Sequence, residues 1–479
     1  MIFLREDNNR AADNNEPTGN AGAGEAVLEP GTARHLFLAV IITSFIGPFA
    51  GSGINVAVPA IGQEFGASAN DLSWVVFGYL LGAAMFTLPT GKLADILGRR
   101  RVYHMGQWLF SLTFLAGAFA TSIEMLNVIR FIEGSVMSLI FGPGMALLVS
   151  SHPPTERGRV IGYSAASTYS GLSLGPVISG FLCELTGWRS IFVATAAVVL
   201  ISIWMLRGIS QEWYGDKGAR LDVKGSLCYM LAAPTLLYGL AEINSSELGK
   251  VVLALGVLGM LAFAFIEYRV ANPCLDIRIF KGNRVFTFSN LAAMLHYSAT
   301  FAISFLMSLY LQIILGFSAS MAGGIILLQP VVMALLSPKA GALSDRIHPG
   351  KVASVGMGIT CLGLLLMSFL NGGTPIWQTG LILMLVGLGF ALFSSPNNNA
   401  IMGAVPPKYY GTTSSLVSTM RLFGQSISMA LVTMLLAWCG VQSLTGSDNV
   451  HLLPAIQAIF RVFCALSFIG IGFSLARNK

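Results

Sequence analysis

Hydrophobic residues fill most of this chain in long runs that are separated by short polar segments. We count fourteen runs that are long enough for a membrane-spanning helix, which needs roughly 20 predominantly apolar residues. The runs begin near residues 36, 70, 102, 123, 159, 188, 223, 249, 285, 319, 352, 376, 409 and 454. Several contain proline, which membrane helices tolerate when neighbouring groups satisfy the freed backbone. The pattern predicts an all-α polytopic membrane protein with fourteen transmembrane helices.

The runs form two groups of six with a pair between them. Residues 36–207 and residues 285–479 hold six runs each, and residues 208–284 hold a linker with two more. Residues 1–35 are too polar to pack, which predicts a disordered cytoplasmic tail. Parallel halves of this kind place a substrate site between them near the bilayer midplane. We expect the inserted pair of helices to have a peripheral structural role.

Composition agrees with a membrane protein and argues against an enzyme. Hydrophobic residues make up 54% of the chain, charged residues 10%, and the mean hydropathy is +0.71. A soluble domain carries about 25% charged residues. The six cysteines are scattered without paired spacing, and no phosphate-binding loop is present. We therefore expect no metal, no cofactor and no ATP hydrolysis by this chain.

Lysine and arginine cluster in every second loop between the runs. By the positive-inside rule this asymmetry predicts a multi-pass protein of the cell (inner) membrane with both termini in the cytoplasm. The same asymmetry accounts for the net charge of +6, so no nucleic-acid partner is expected.

The sequence GKLADILGRRR at residues 91–101 follows the second run, and GALSD at residues 341–345 repeats part of it in the second half. Its glycines allow a tight turn, and its aspartate can lie at the positive N-terminus of a neighbouring helix. Ordinary positive-inside charge explains the arginines but not the spacing of Gly and Asp. We predict a conformational latch in which arginine pairs with carboxylate to hold the halves in one state. Its residues are Gly91, Asp95, Gly98, Arg99, Arg100 and Asp345.

A second motif consists of small residues in the fifth run. Gly171 and Gly175 lie one helical turn apart, so another helix can approach closely there, and Pro176 kinks the helix beside them. Generic helix packing explains this pair, but it does not explain the wider pattern that also includes Gly162 and Gly180.

A third motif, LNVIRFIEG at residues 126–134, places two charges in the fourth run. Arg130 and Glu133 share one helix face. A lone charge at such depth costs at least ~2.5 kcal/mol, whereas a pair facing a wet cavity costs less. The pair is either structural or a proton-coupling site.

These motifs resemble those of the major facilitator superfamily, specifically its fourteen-helix drug:proton antiporter branch, over nearly the whole chain after the tail. The resemblance implies a major facilitator fold of two six-helix bundles plus two inserted helices. The glycine pattern is similar to the antiporter signature of that branch, with Ser179 in place of a glycine. The expected partners are a small-molecule substrate, protons and the lipid bilayer, and the expected state is a monomer.

The first run departs from the family pattern. Its segment AGSGINVAVP at residues 50–59 has Ala50 where the family has an acidic residue. Proton coupling is then either absent or transferred to Glu133, and a preference for cationic drugs is less expected because a buried acid would be their counter-ion.

Polar residues inside the runs are candidates for a substrate cavity. Arg421 is about twelve residues into its run, hence roughly 18 Å deep by helix rise, and its expected partner is an anionic substrate group or a carboxylate. His296 is either a titrating group or a packing residue. The candidate set is Ser52, Asn55, His296, Gln312, Asn398 and Arg421.

The sequence therefore predicts a proton-coupled efflux transporter that exports amphipathic, drug-like compounds by alternating access. One alternative is an exporter or importer of a specific native metabolite without proton antiport. A second alternative is a transporter-like sensor that binds a ligand without moving it.

Overall fold

A computed structural model describes residues 30–243, 247–440 and 449–477 of the chain. Every regular element within these ranges is helical. The first eight helices are α1 Pro30–Phe65, α2 Ala69–Leu97, α3 Arg99–Ala118, α4 Ile123–Ser150, α5 Arg157–Thr186, α6 Arg189–Leu206, α7 Val223–Ala241 and α8 Glu247–Arg269. The others are α9 Arg278–Gly282, α10 Arg284–Thr300, α11 Ile303–Leu309, α12 Ala319–Ile326, α13 Leu328–Arg346, α14 Pro349–Met367, α15 Ile376–Gly403, α16 Tyr410–Trp438 and α17 Asn449–Ala476.

Each predicted run contains a helix that begins within six residues of the predicted start. The largest difference is at α1, which begins at Pro30 and thus includes the end of the segment predicted to be a disordered tail. The rest of that predicted tail, residues 1–29, lies outside the described residues.

Eleven helical segments of the described chain are long and apolar enough to cross a membrane. Two of them are interrupted: α10 and α11 continue through a π-helical turn to Ile314, and α12 is followed directly by α13. Helices α3, α5 and α7, which contain more polar or small residues, are not among the eleven. The predicted number of fourteen crossings therefore stays a prediction.

Two of the buried hydrophobic cores each lie within one half, and a third joins the halves, from Leu81 of α2 to Phe423 of α16. One core consists of residues between Leu36 and Trp213 and joins α1 to α6. A second consists of residues between Ala299 and Phe463. The halves meet where α5 packs on α13 and α15, and where α2 and α4 pack on α16. The space that any ligand must enter lies between these four crossings.

The inserted helices α7 and α8 pack on each other, and α7 also packs on α2 and α16. The Tyr229 hydroxyl of α7 lies 3.2 Å from the Ala84 carbonyl of α2 and 3.2 Å from the Thr419 hydroxyl of α16. The Tyr229 side chain of α7 therefore contacts both halves, and the expected peripheral structural role of α7 and α8 stays a prediction.

Candidate transport site and its closure

Helices α2 and α16 cross at two glycines. A Cβ added at Gly91 would lie 2.7 Å from the Gly411 carbonyl oxygen, and one added at Gly411 would lie 2.7 Å from the Gly91 carbonyl oxygen. Real Cβ atoms do not approach backbone this closely, so only glycine permits this crossing. The close approach brings the last turn of α2 against the first turn of α16.

Asp95, in the last turn of α2, binds the N-terminus of α16. Its carboxylate accepts hydrogen bonds from the backbone N–H groups of Gly411 (3.0 Å) and Thr412 (2.9 Å), and from the Thr412 hydroxyl (3.1 Å). The side chain is almost fully buried. The first N–H groups of a helix have no partner within the helix and carry partial positive charge, so a carboxylate is stabilised there.

Arg99 completes this arrangement at the start of α3. Its guanidinium donates to Asp95 Oδ1 at 2.9 and 2.7 Å, to the Ser150 hydroxyl at 2.7 Å, and to the Pro407 carbonyl of the other half at 2.6 Å. The carboxylate partner of Arg99 is thus within its own motif. Arg100 forms no ion pair among the described residues, in contrast to the expectation that it pairs with a carboxylate.

The second half repeats this arrangement with the roles of the halves exchanged. Asp345, in the last turn of α13, accepts from the backbone N–H groups of Gly158 (2.7 Å) and Arg159 (2.9 Å) in the first turn of α5. A Cβ added at Gly158 would clash with the Gly341 carbonyl, and one added at Gly341 would clash with the Gly158 carbonyl. Each half therefore binds one helix N-terminus of the other half.

The two caps are neighbours at one end of the molecule, which we call the motif end. The Arg157 guanidinium of α5 donates to the Tyr410 hydroxyl of α16 at 2.9 Å. These two residues directly precede the capped residues Gly158 and Gly411. The motif end is therefore closed by one continuous polar contact between the halves.

The linker after α6 packs into the motif end. The Glu212 carboxylate accepts from the N–H groups of Arg100 (2.7 Å) and Arg101 (3.0 Å), beside Gly98, whose φ of +108° favours glycine. The N–H groups of Gly215 and Asp216 both donate to the Asp95 carbonyl at 2.9 Å. We call residues 212–216 the strap.

Other contacts hold the strap against both halves. Lys92 forms an ion pair with Asp216 at 3.2 Å, and a Cβ added at Gly215 would clash with the Lys408 carbonyl of the second half. A cavity of about 260 Å³ lies between Asp216, residues 271–276 and Lys408.

The glycines of α5 face two different helices. A Cβ added at Gly171 would clash with the Phe45 carbonyl of α1, and one at Gly162 would lie 2.5 Å from the Ser337 carbonyl oxygen of α13. Gly175 packs on α1 in the same way, next to Pro176, which lies inside the helix. Gly180 has only an ordinary contact, 3.7 Å from a Val56 methyl group. The small residues of this motif thus let α5 pack closely on α1 in its own half and on α13 in the other half.

A cavity of about 60 Å³ lies between the halves, bounded by α1, α4, α5, α10, α15 and α16. A drug-sized ligand occupies a pocket of roughly 300–1,000 Å³, so this conformation is contracted and must widen to admit one. The polar lining residues are Thr43, Ser44, Ser164, Thr168, Tyr297, Asn398, Ser414, Ser418 and Arg421.

Two of the six predicted cavity residues, Asn398 and Arg421, line this cavity. Ser52 packs against Gly175, Asn55 is exposed, and the exposed Gln312 donates to the Ser308 hydroxyl at 2.7 Å. None of these three lines the cavity.

His296 does not line the cavity either. Its ring is fully buried, with centroids 4.0 Å from the Phe393 ring and 4.7 Å from the Phe390 ring. Neither ring nitrogen has a hydrogen-bond partner among the described residues. The histidine is therefore packed in an aromatic cluster beside the cavity residue Tyr297.

Arg130 and Glu133 are buried inside the first half. Their side chains meet at 2.5 Å, and Arg130 also donates to the Val75 carbonyl at 2.9 Å and covers the Tyr79 ring at 4.6 Å. Glu133 Oε1 has no hydrogen-bond partner among the described residues. The pair does not line the cavity, but Glu133 shares a face of α4 with the lining residue Ile140, two turns away.

Most of the hydroxyl groups that line the cavity have no distinguishing pattern in the sequence. Serine and threonine are common in membrane helices, where their hydroxyl groups donate hydrogen bonds to backbone carbonyls of the previous turn. Ser414, for example, donates to the carbonyls of Gly142 and Gly411. Only a three-dimensional arrangement distinguishes the hydroxyls that face the cavity from those that face lipid.

Comparisons with known proteins agree with this architecture. Residues 40–429 match the sequence profile of the Major Facilitator Superfamily. The chain is 28% identical to the riboflavin transporter RibZ of Clostridioides difficile over 414 residues, which cover 86% of this chain and 89% of that protein. It is 30% identical to the multidrug resistance protein Stp of Mycobacterium tuberculosis over 396 residues, which cover 80% and 72%.

A solved structure shows the same fold. The human organic anion transporter MFSD10 (TETRAN) superposes with a TM-score of 0.65 over 93% of this chain and 100% of that one. The sequence identity is 17%, so this likeness concerns the fold alone.

Proposed function

Since the chain belongs to the Major Facilitator Superfamily, we propose that it is a proton-coupled exporter of amphipathic, drug-like compounds across the cell membrane, working by alternating access. It is a multi-pass membrane transporter rather than an enzyme. The observation that carries the proposal is the pair of caps at Asp95 and Asp345, a closure made of polar contacts between two halves. Such polar contacts can break and re-form as the halves move relative to each other.

Three further features support the proposed direction of transport and the proposed class of substrate. By the positive-inside rule we expect the motif end to face the cytoplasm, which makes this conformation the one closed to the cytoplasm. The cavity combines the hydroxyls with apolar residues such as Ile140, Phe141 and Val417, which suits amphipathic compounds. Similarity to a multidrug resistance protein favours export.

Glu133 is the proposed proton carrier. It is a buried carboxyl whose Oε2 binds Arg130 and whose Oε1 is unpaired. Burial disfavours the charged form of this carboxyl group, whereas the neighbouring guanidinium favours it. Protonation of Glu133 would weaken its ion pair with Arg130. We propose that a resulting shift of α4 reaches the cavity, because Ile140 on the same face of α4 lines it.

A second candidate function is transport of one specific metabolite without proton exchange. The buried Ala50 leaves α1 without the acidic residue of the antiporter pattern. The similarity to a riboflavin transporter favours the same alternative.

The deciding experiment uses purified protein in liposomes that trap a pH-sensitive dye. A proton gradient is imposed, and lipophilic cations, neutral drugs, organic anions and riboflavin are added in turn to wild type, Glu133→Gln and Glu124→Gln. Glu124 is an exposed carboxylate at the start of the same helix and serves as the matched control.

We expect substrate-evoked proton release in wild type and Glu124→Gln and its loss in Glu133→Gln. Release that persists in Glu133→Gln would remove Glu133 from the mechanism and keep antiport. Riboflavin movement without proton release would establish the second candidate function. Saturable binding with no movement of any compound would indicate a sensor.

A further inference from the structure

We propose that the central cavity binds the anionic head group of its substrate, a carboxylate, sulfonate or phosphate, through the guanidinium of Arg421. This inference rests on the proposed function, because it assumes that the transported compound enters this cavity.

Arg421 is a cation without a counter-ion. It lies in the fourth turn of α16 and lines the cavity. None of the ion pairs or hydrogen bonds within the described residues includes its side chain, whereas Arg130, which also lies deep in a membrane helix, is bound by Glu133. An unpaired charge at membrane depth is costly and marks a ligand pathway or a functional site.

The orientation of Arg421 leaves its hydrogen-bond donors free. Its guanidinium carbon lies 5.1 Å from the centroid of the Phe141 ring, so the planar group is held by a cation–π contact. The N–H groups of a guanidinium lie in its plane, where they form a fork that matches the two oxygens of a carboxylate or phosphate. Phe141 therefore positions the cation without using its donors.

The remainder of the lining contains no acidic side chain. Ala50, which replaces the family acid of α1, is buried in the core of the first half. Asn398 also lines the cavity and has no hydrogen-bond partner among the described residues, so its amide N–H groups are available to the same head group. A cationic substrate would meet Arg421 with no carboxylate to offset the repulsion.

The cavity holds only a few water molecules in this conformation, so the body of the ligand depends on how the halves separate. The head group depends on the charge of Arg421, which moves with α16 as the site widens.

The test is equilibrium dialysis of the purified chain in nanodiscs, with empty nanodiscs subtracted. The probes are 2-naphthoate, 2-naphthamide and 2-naphthylmethylammonium, which share one aromatic body and carry a charge of about −1, 0 and +1 at neutral pH. The variants are Arg421→Gln, Arg421→Lys and the control Arg207→Gln, which removes an exposed arginine at the end of α6. Melting curves establish that each variant is folded.

We expect wild type to bind 2-naphthoate at least about tenfold more tightly than the amide and the amine, as loss of a charge-assisted hydrogen bond implies. Arg421→Gln should abolish that preference, Arg421→Lys should keep part of it, and Arg207→Gln should keep all of it. Equal binding of the ammonium probe, an anion preference that survives in folded Arg421→Gln, or no saturable binding of the anion would each overturn the inference.

The liposome assay separates this inference from the proposed function. Export with no dependence on Arg421 would keep the function and reject the anion site. Binding of the anion through Arg421 without movement of any compound would keep the site and reject the function.

Discussion

Asp95 and Asp345 hold equivalent positions in the two halves, and each accepts two backbone hydrogen bonds from the first turn of a helix in the opposite half. Their surroundings differ. Asp95 is almost fully buried and also binds Arg99, whereas Asp345 is half-buried and has no ion-pair partner among the described residues. The closure is thus symmetric in its backbone contacts and asymmetric in its charges.

Asp95→Asn should shift the molecule toward the state that is open at the motif end. Asparagine has one carbonyl oxygen where the carboxylate offers two charged acceptors, and loss of a charge-assisted hydrogen bond changes a population by about tenfold. Electron-resonance distances between spin labels at Glu156 and His348, which are exposed on opposite halves, report the shift. Asp345→Asn should act in the same direction but less.

The control for this pair is Glu247→Gln, which removes the exposed partner of Lys250 in the first turn of α8. Identical distance distributions in wild type and both cap variants would show that the caps do not set the balance between states.

Gly171→Ala should lower the melting temperature, while Gly180→Ala should leave it nearly unchanged. The Cβ at Gly171 meets the Phe45 carbonyl, and overpacking of this kind costs about 1–3 kcal/mol. The Cβ at Gly180 meets a Val56 methyl group at an ordinary 3.7 Å. Thermal unfolding followed by light scattering or tryptophan fluorescence measures both, and equal losses would contradict the helix contacts described for α5.

Arg130→Met should destabilise the fold strongly, because breaking a buried pair leaves an uncompensated charge at a cost of about 3–5 kcal/mol. Adding Glu133→Leu to that variant should recover most of the loss, since a buried pair replaced by apolar residues is often neutral. Lys250→Met is the control, because Lys250 and Glu247 form an exposed pair with the same spacing along a helix. A double variant no more stable than Arg130→Met would mean that the pair has a further partner.

Cys274 should react slowly with N-ethylmaleimide, and its reaction should accelerate only at strongly alkaline pH. Burial raises the pKa of the Cys274 thiol, so less of the reactive thiolate is present at any given pH than for an ordinary thiol. The measurement compares a protein that keeps only Cys274 with one that keeps only Cys439, which lies half-buried in the turn after α16. Equal rates at neutral pH would show that the segment at residues 271–276 opens readily.

The sequence predicted the helices well because long apolar runs are a strong local signal. It could not predict which helix Asp95 binds, since Gly411 is far away in the chain and no local pattern marks that contact. Resemblance to the superfamily is confirmed by the family match. The assignments of the latch, antiporter and proton-coupling residues stay predictions that the experiments above test.

The cavity was predicted only where a residue is unusual for its depth. Arg421 and Asn398 were found because an arginine or a run of asparagines is rare inside a membrane helix. Ser52, Asn55 and Gln312 lie in segments that resemble family motifs, but Ser52 packs against Gly175 and the other two are exposed. A polar side chain in a membrane helix can find hydrogen-bond partners in the backbone, in another helix or in solvent, as well as in a cavity. Polarity alone therefore does not predict which residues line the cavity.

The strap and the inserted helices connect the two bundles, so a shortened chain without them would lose contacts between the halves. Excision of residues 208–284 would remove α7 and α8. It would also remove the Glu212 carboxylate at the N-terminus of α3, the Asp216 counter-ion of Lys92 and the Tyr229 hydroxyl. The shortened chain would keep both six-helix bundles but lose the contacts that the strap and Tyr229 make with them. We expect it to behave as a leak for ions rather than as a minimal transporter.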